Sequence, residues 1–130
     1  MSTRAIIALP VMGGFETAWC WNDGGPANLG AELRRYFTTE KDVRQLIDEH
    51  SFSTILGPRH IEECMNKGDT AVAIPVNASS SLRFALKHPH DGSVVEGKGK
   101  YGFFKSISDM LECDLNYVYV FENGKWKTYK

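Results

Sequence analysis

The chain has few cysteines, almost no surplus charge and no long apolar run, and each shortage excludes a class of protein. Cys20, Cys64 and Cys113 are odd in number and widely separated, with no Cys-x-x-Cys pair. This argues against a disulfide framework and for three reduced thiols. Fifteen Lys and Arg stand against sixteen Asp and Glu, a formal charge of -1, so neither nucleic acid nor an anionic membrane meets a basic surplus, and neither is expected as a partner. The longest uncharged apolar run, Ala5 to Gly14, is too short to span a bilayer and lacks the basic-then-apolar layout of a signal peptide. A cytoplasmic location is expected. No catalytic or metal-binding motif of known mechanism is present, and no cofactor is implied.

What is there is the composition of an ordinary globular domain: 130 residues, 42% hydrophobic and 24% charged. A domain of this size buries roughly two thirds of the surface its unfolded chain exposes, enough to fold without metal or disulfide. The 12 glycines and 5 prolines fall at turns and not in one linker, so residues 1–130 are expected to form a single domain.

Thr3 to Leu9 reads as a strand buried on both faces. Beyond the Met12-Gly13-Gly14 turn, Phe15 to Trp21 alternates, setting Phe15, Thr17, Trp19 and Trp21 on one face and Glu16, Ala18 and Cys20 on the other. Pro26 opens a helix with Leu29, Leu33, Tyr36 and Phe37 on its core side. Thr39 with Asp42 starts a second helix, which ends near His50. A third begins at Pro58 and stops at Gly68. Ala71 to Val76 and Leu82 to Leu86 read as strands, Pro75 marking the first as an edge or strand end. His88 to Gly102 reads as a long loop. Phe103 to Cys113 reads as a helix with Phe104, Ile107 and Leu111 inward. Asn123-Gly124 predicts a type I′ hairpin joining Tyr117–Phe121 to Trp126–Tyr129, with Phe121 opposite Trp126. This order implies an α+β fold: a mostly antiparallel sheet containing the N- and C-terminal hairpins, helices packed on one face.

Candidate binding residues gather where the second strand enters the first helix. Gly24 and Gly25, with the helix opening behind them, could offer amides to a phosphate, and Arg4 could offset the charge of Asp23. The alternative is a tight turn with Asp23 as helix cap. Trp19 and Trp21 project from one strand face, either as a stacking platform or partner hot spot, or as core. Lys98, Lys100 and Tyr101 in Gly97-Lys98-Gly99-Lys100-Tyr101-Gly102 are loop contacts of a ligand, or a solvated loop. His60, one helical turn from Cys64 with Glu63 nearby, and the pair His88 and His90 lack the third group that catalysis or metal binding needs.

Ser2-Thr3-Arg4, the aromatic end of the second strand, Asn22-Asp23-Gly24-Gly25-Pro26 and Leu29-Gly30-Ala31-Glu32-Leu33 together resemble a family of small phage and prophage proteins. In that family a Ser-Thr-Arg start precedes a Trp-Asp-Gly-Tyr-Pro-like turn and a Gly-x-x-Leu helix opening. The likeness covers about residues 2 to 50. It departs at Gly25, where the family has an aromatic, and at Asn22, where it has a bulky residue. The resemblance implies a phage-borne accessory protein that acts by binding, most readily as an inhibitor of a host or defence protein, in the host cytoplasm. A nucleotide sponge that sequesters a small phosphorylated signalling molecule is the alternative, a small hydrolase or transferase the remote one, and a homo-oligomer a further option.

Overall fold

Ala5 to Leu9 is apolar at every position because both faces of the strand it forms are covered, and the rest of the chain is arranged around it. The computed structural model describes residues 3–66, 70–76, 81–87 and 102–130. Among these, β1 (Ala5–Val11) and β2 (Gly14–Cys20) form the N-terminal hairpin, and β8 (Tyr117–Glu122) and β9 (Lys125–Tyr129) the C-terminal one. Both lie in one sheet of order β3-β2-β1-β8-β9, with β3 spanning Ser51–Phe52 and β7, Phe103–Phe104, also on β2. The fold is α+β, as expected.

The C-terminal hairpin has the expected register, Phe121 opposite Trp126 and Tyr119 opposite Thr128, and Asn123 and Gly124 take φ values of 54° and 76°. Gly124→Val should lower stability by about 1 kcal/mol or more, because a β-branched residue resists positive φ. An unchanged denaturation midpoint would refute this.

β8 joins the sheet parallel to β1, and β3 parallel to β2. A parallel neighbour requires a crossover, and here nearly the whole middle of the chain supplies it. Most of that crossover follows the expected elements. A π-helical turn at Pro26–Gly30 runs into α1 (Ala31–Tyr36). The second helix, α2 (Glu40–Asp48), is capped as expected, Thr39 Oγ1 accepting from the Asp42 amide at 3.2 Å. Next come β4 (Thr54–Leu56), α3 (Pro58–Asn66), β5 (Thr70–Val76) and β6 (Ser81–Lys87). These strands build a second antiparallel sheet of order β4-β6-β5. Pro75 lies on its edge strand, where a missing amide costs no ladder bond. One apolar core links the two sheets: Ile7, Leu9 and Cys20 pack with Leu33, Phe37 and Leu46 of the helical side and with Ile55, Ile74 and Ala85 of the second sheet.

Two expectations need correction. Residues 103 to 113 are not one helix: Phe103 and Phe104 pair with β2 as a strand, and only α4 (Ile107–Leu111) is helical, capped by Ser106. Gly14 makes this possible, since a Cβ there would lie 2.4 Å from the Phe104 carbonyl oxygen. Met110 turns inward and Leu111 is 38% exposed, the reverse of the expected facing. Second, α4 covers the opposite face of the main sheet from α1 and α2, packing Met110 on Ile6, Ala8, Trp19, Val118 and Val120. Helices therefore sit on both faces, because β1 and β8 are apolar on both.

No helix among the described residues is long and apolar enough to cross a membrane. The three cysteines are free. The expected helix stop at Gly68 and most of the loop, residues 88–101, lie outside the described residues.

Candidate functional site

The main sheet and the second sheet part company at Ser53. Up to that residue the chain follows β2: the Trp21 amide donates to the Phe52 carbonyl at 3.1 Å and the Asn22 amide to that of Ser53 at 2.8 Å. Asn22 Nδ2 donates to Ser53 Oγ at 2.7 Å. The Ser53 amide then turns to Leu86, and β4 continues along β6. The divergence opens a cleft of about 380 Å³. One wall is the turn and α1, with Asp23, Asn28, Glu32, Arg35 and Tyr36; the other is β4, the start of α3 and β6, with Thr54, Leu56, Gly57, His60 and Arg83.

Arg83 ties the walls together. Its Nε and Nη2 donate to the two carboxylate oxygens of Glu32 at 2.5 and 2.7 Å, and its guanidinium lies 4.0 Å from the centre of the Tyr36 ring. The side chains of Arg83 and Glu32 are only 13% and 14% exposed, and a forked pair largely shielded from water is both stronger and more directional than a surface pair. Gly57 gives the guanidinium its space, since a Cβ there would stand 2.8 Å from Arg83 Nη1. Arg35 lies against the same ring, 5.5 Å from its centre.

Of the expected Gly24-Gly25 phosphate cradle, the Gly24 amide is spent on the fold. The Gly24 amide donates to the Thr3 carbonyl at 3.0 Å, the Asn28 and Gly30 amides to the Gly25 carbonyl, and the Leu29 amide to that of Asp23. A Cβ on Gly24 would lie 2.9 Å from both Ala5 Cβ and the Thr3 carbonyl oxygen, so this glycine serves close backbone approach. Asp23 holds a φ of 56° and lines the cleft.

The Tyr119 hydroxyl donates to the Gly24 carbonyl at 2.7 Å. Burial first, and the neighbouring Tyr117 second, push its pKa up to about 12. Because the folded value lies above the ordinary 10, its contribution to stability is fully present below pH 10 and is lost as pH rises toward 12. Tyr119→Phe should remove that alkaline decline, measurable as the pH dependence of the denaturation midpoint; equal slopes in both proteins would contradict it.

Trp19 and Trp21 lie on the other side of the sheet. Their rings stack at 5.3 Å, but Trp19 is only 7% exposed, beneath α4. Trp21 is half-buried and donates Nε1 to Ser51 Oγ at 3.4 Å. Arg4 keeps company with the indoles, its guanidinium 5.9 Å from the Trp21 ring and paired with Asp114 at 2.8 Å. The expected site is thus divided: Arg4, Trp19 and Trp21 on one face, Asp23 in the cleft on the other, and Gly24 packed on β1 between them.

His60 lines the cleft on the exposed side of α3, with Cys64 one turn further on. No group of three metal-ligating side chains occurs among the described residues. Lys98, Lys100, Tyr101, His88 and His90 lie outside them. Sequence reading missed Glu32, Arg35, Gly57 and Arg83. The Glu32–Arg83 pair spans 51 positions, which no local spacing reveals, and Tyr36 fitted the apolar stripe of its helix. Among known protein families, curated proteins and solved structures, none matches this chain.

Proposed function

We propose that the protein acts by binding, and that the cleft between α1 and β4 is where it takes hold of a small polar ligand. The observation that carries this reading is the guanidinium of Arg83, held from one edge by Glu32 and from one face by Tyr36 beside an open volume. Side chains fixed before a ligand arrives lose little entropy when it binds, and about 380 Å³ falls in the range of small-molecule sites. Sequestration of a signalling molecule in the host cytoplasm accords with this site and with the likeness of residues 2 to 50 to small phage proteins.

Inhibition of a host or defence protein is the second reading. Met12, 99% exposed at the tip of the N-terminal hairpin, favours it. The parallel pairing of β1 and β8 brings that tip to the same end of the sheet as the Asn123-Gly124 turn, giving a partner protein two adjacent loops to grip.

Ala31 is exposed on α1 and lines the cleft, so Ala31→Trp fills the cleft without touching the core. Native mass spectrometry of protein taken from producing cells should show a stoichiometric small molecule on the wild type and none on Ala31→Trp at an unchanged melting temperature. Equal loading of the two would reject the cleft as the site.

A further inference from the structure

We infer that the cleft has two chemically distinct ends and that its α3 end seats a phosphoryl group on Arg83 and Arg35; this rests on the cleft being the binding site. Asp23 precedes the π-helical turn and Asn28 lies in its middle, whereas Arg35 and Tyr36 end α1. At 1.5 Å per residue, Asn28 and Arg35 stand about 10 Å apart along the wall. The opposite wall runs alongside in matching order. Thr54 lies next to Ser53, which bonds Asn22. Leu56 pairs with Phe84, the neighbour of Arg83, and Gly57 and His60 follow. One end therefore carries the Asp23 carboxylate with neutral polar groups, and the other carries two guanidiniums and an imidazole.

The formal charges in the cleft cancel, two Arg against Asp23 and Glu32, so a diffuse field does not select the ligand. Hydrogen-bond donors do. Arginine has five N–H groups in a fixed fork, and Glu32 engages only Nε and Nη2 of Arg83. Nη1 has no hydrogen-bond partner among the described residues; it lies over Gly57, in room that a side chain there would take, since a Cβ would stand 2.8 Å from it. Tyr36 holds the guanidinium plane from one side. Arg35, exposed and without an ion pair among the described residues, lies on the same ring. A phosphoryl group accepts from several N–H donors at once and matches the planar fork. At the other end Asp23 accepts from hydroxyl or amino groups. The ligand class is a small hydroxylated phosphate, the chemistry of a mononucleotide. Glu32 and Tyr36 act through Arg83 as positioning residues.

Calorimetric titration with adenosine 5′-monophosphate, inorganic phosphate and adenosine tests this. Wild type should bind the monophosphate saturably and adenosine not at all, and inorganic phosphate should compete with the monophosphate. Arg35→Gln, an exposed change, should weaken monophosphate binding about tenfold, and Arg83→Lys, which keeps the charge and loses the fork, at least as much. Ala31→Trp should abolish it. Inorganic phosphate binding as tightly as the monophosphate keeps the phosphoryl seat and makes free phosphate its ligand. If the monophosphate and adenosine bind alike and Arg35→Gln has no effect while Ala31→Trp still abolishes binding, the cleft reading stands and the phosphoryl seat falls. If neither phosphate compound binds wild type, the seat is likewise overturned. If Ala31→Trp binds the monophosphate as wild type does, both fall.

Discussion

Trp19→Ala is expected to lower the stability of the protein by about 3 to 5 kcal/mol, the cost of emptying a buried aromatic site. The indole lies in the cluster of Ile6, Ala8, Met110, Val118 and Val120, stacked on Trp21, and its removal leaves a void between the sheet and α4. Trp21→Ala should cost less, because Trp21 is half-buried and loses one long hydrogen bond to Ser51. Chemical denaturation of the two variants separates them. A loss below about 1 kcal/mol at Trp19 would mean that its ring is not part of the core.

The second large effect is expected at Gly24. In Gly24→Val the Cβ meets the Ala5 side chain and the Thr3 carbonyl at 2.9 Å, and the fixed atom there is backbone, which has no rotamer to change. The turn must move off β1, breaking the Gly24-to-Thr3 bond and the bond from the Tyr119 hydroxyl. Overpacking together with the lost hydrogen bonds sets the cost at about 2 to 4 kcal/mol. Gly25→Ala is the control, since nothing stands within 4 Å of a Cβ at that position, and it should leave stability nearly unchanged. Equal destabilisation by both would refute the close-approach account of Gly24.

The difference between these two glycines was beyond the reach of sequence, and the reason is physical. Asp-Gly-Gly-Pro announces a turn before a helix, but which glycine presses on β1 depends on how the turn meets a strand 19 positions earlier (Ala5 against Gly24). Features encoded within a few residues were legible: the Asn123-Gly124 hairpin and its register, the Thr39 cap of α2, and the unbroken apolar run of β1. The alternation of β2 was legible too, but which face would be covered was not, because the covering residue, Met110, lies 91 positions after Trp19. Phe103 and Phe104 fit a helical period as well as a strand edge, and the room for the edge comes from Gly14, far away in the chain. β3 and β4, of two and three residues, are too short to show a period. The cleft exists because those two short strands pair with different sheets, so its residues had no local signature.

The most direct test of the account sets the two faces of the main sheet against each other. Trp21→Ala and Ala31→Trp, each checked for an unchanged fold by circular dichroism, are compared with wild type by native mass spectrometry for the small molecule they carry from the cell. The account predicts full loading of Trp21→Ala and none of Ala31→Trp. Loss of the ligand from Trp21→Ala, with Ala31→Trp still loaded, would contradict it and move the site to the indole face.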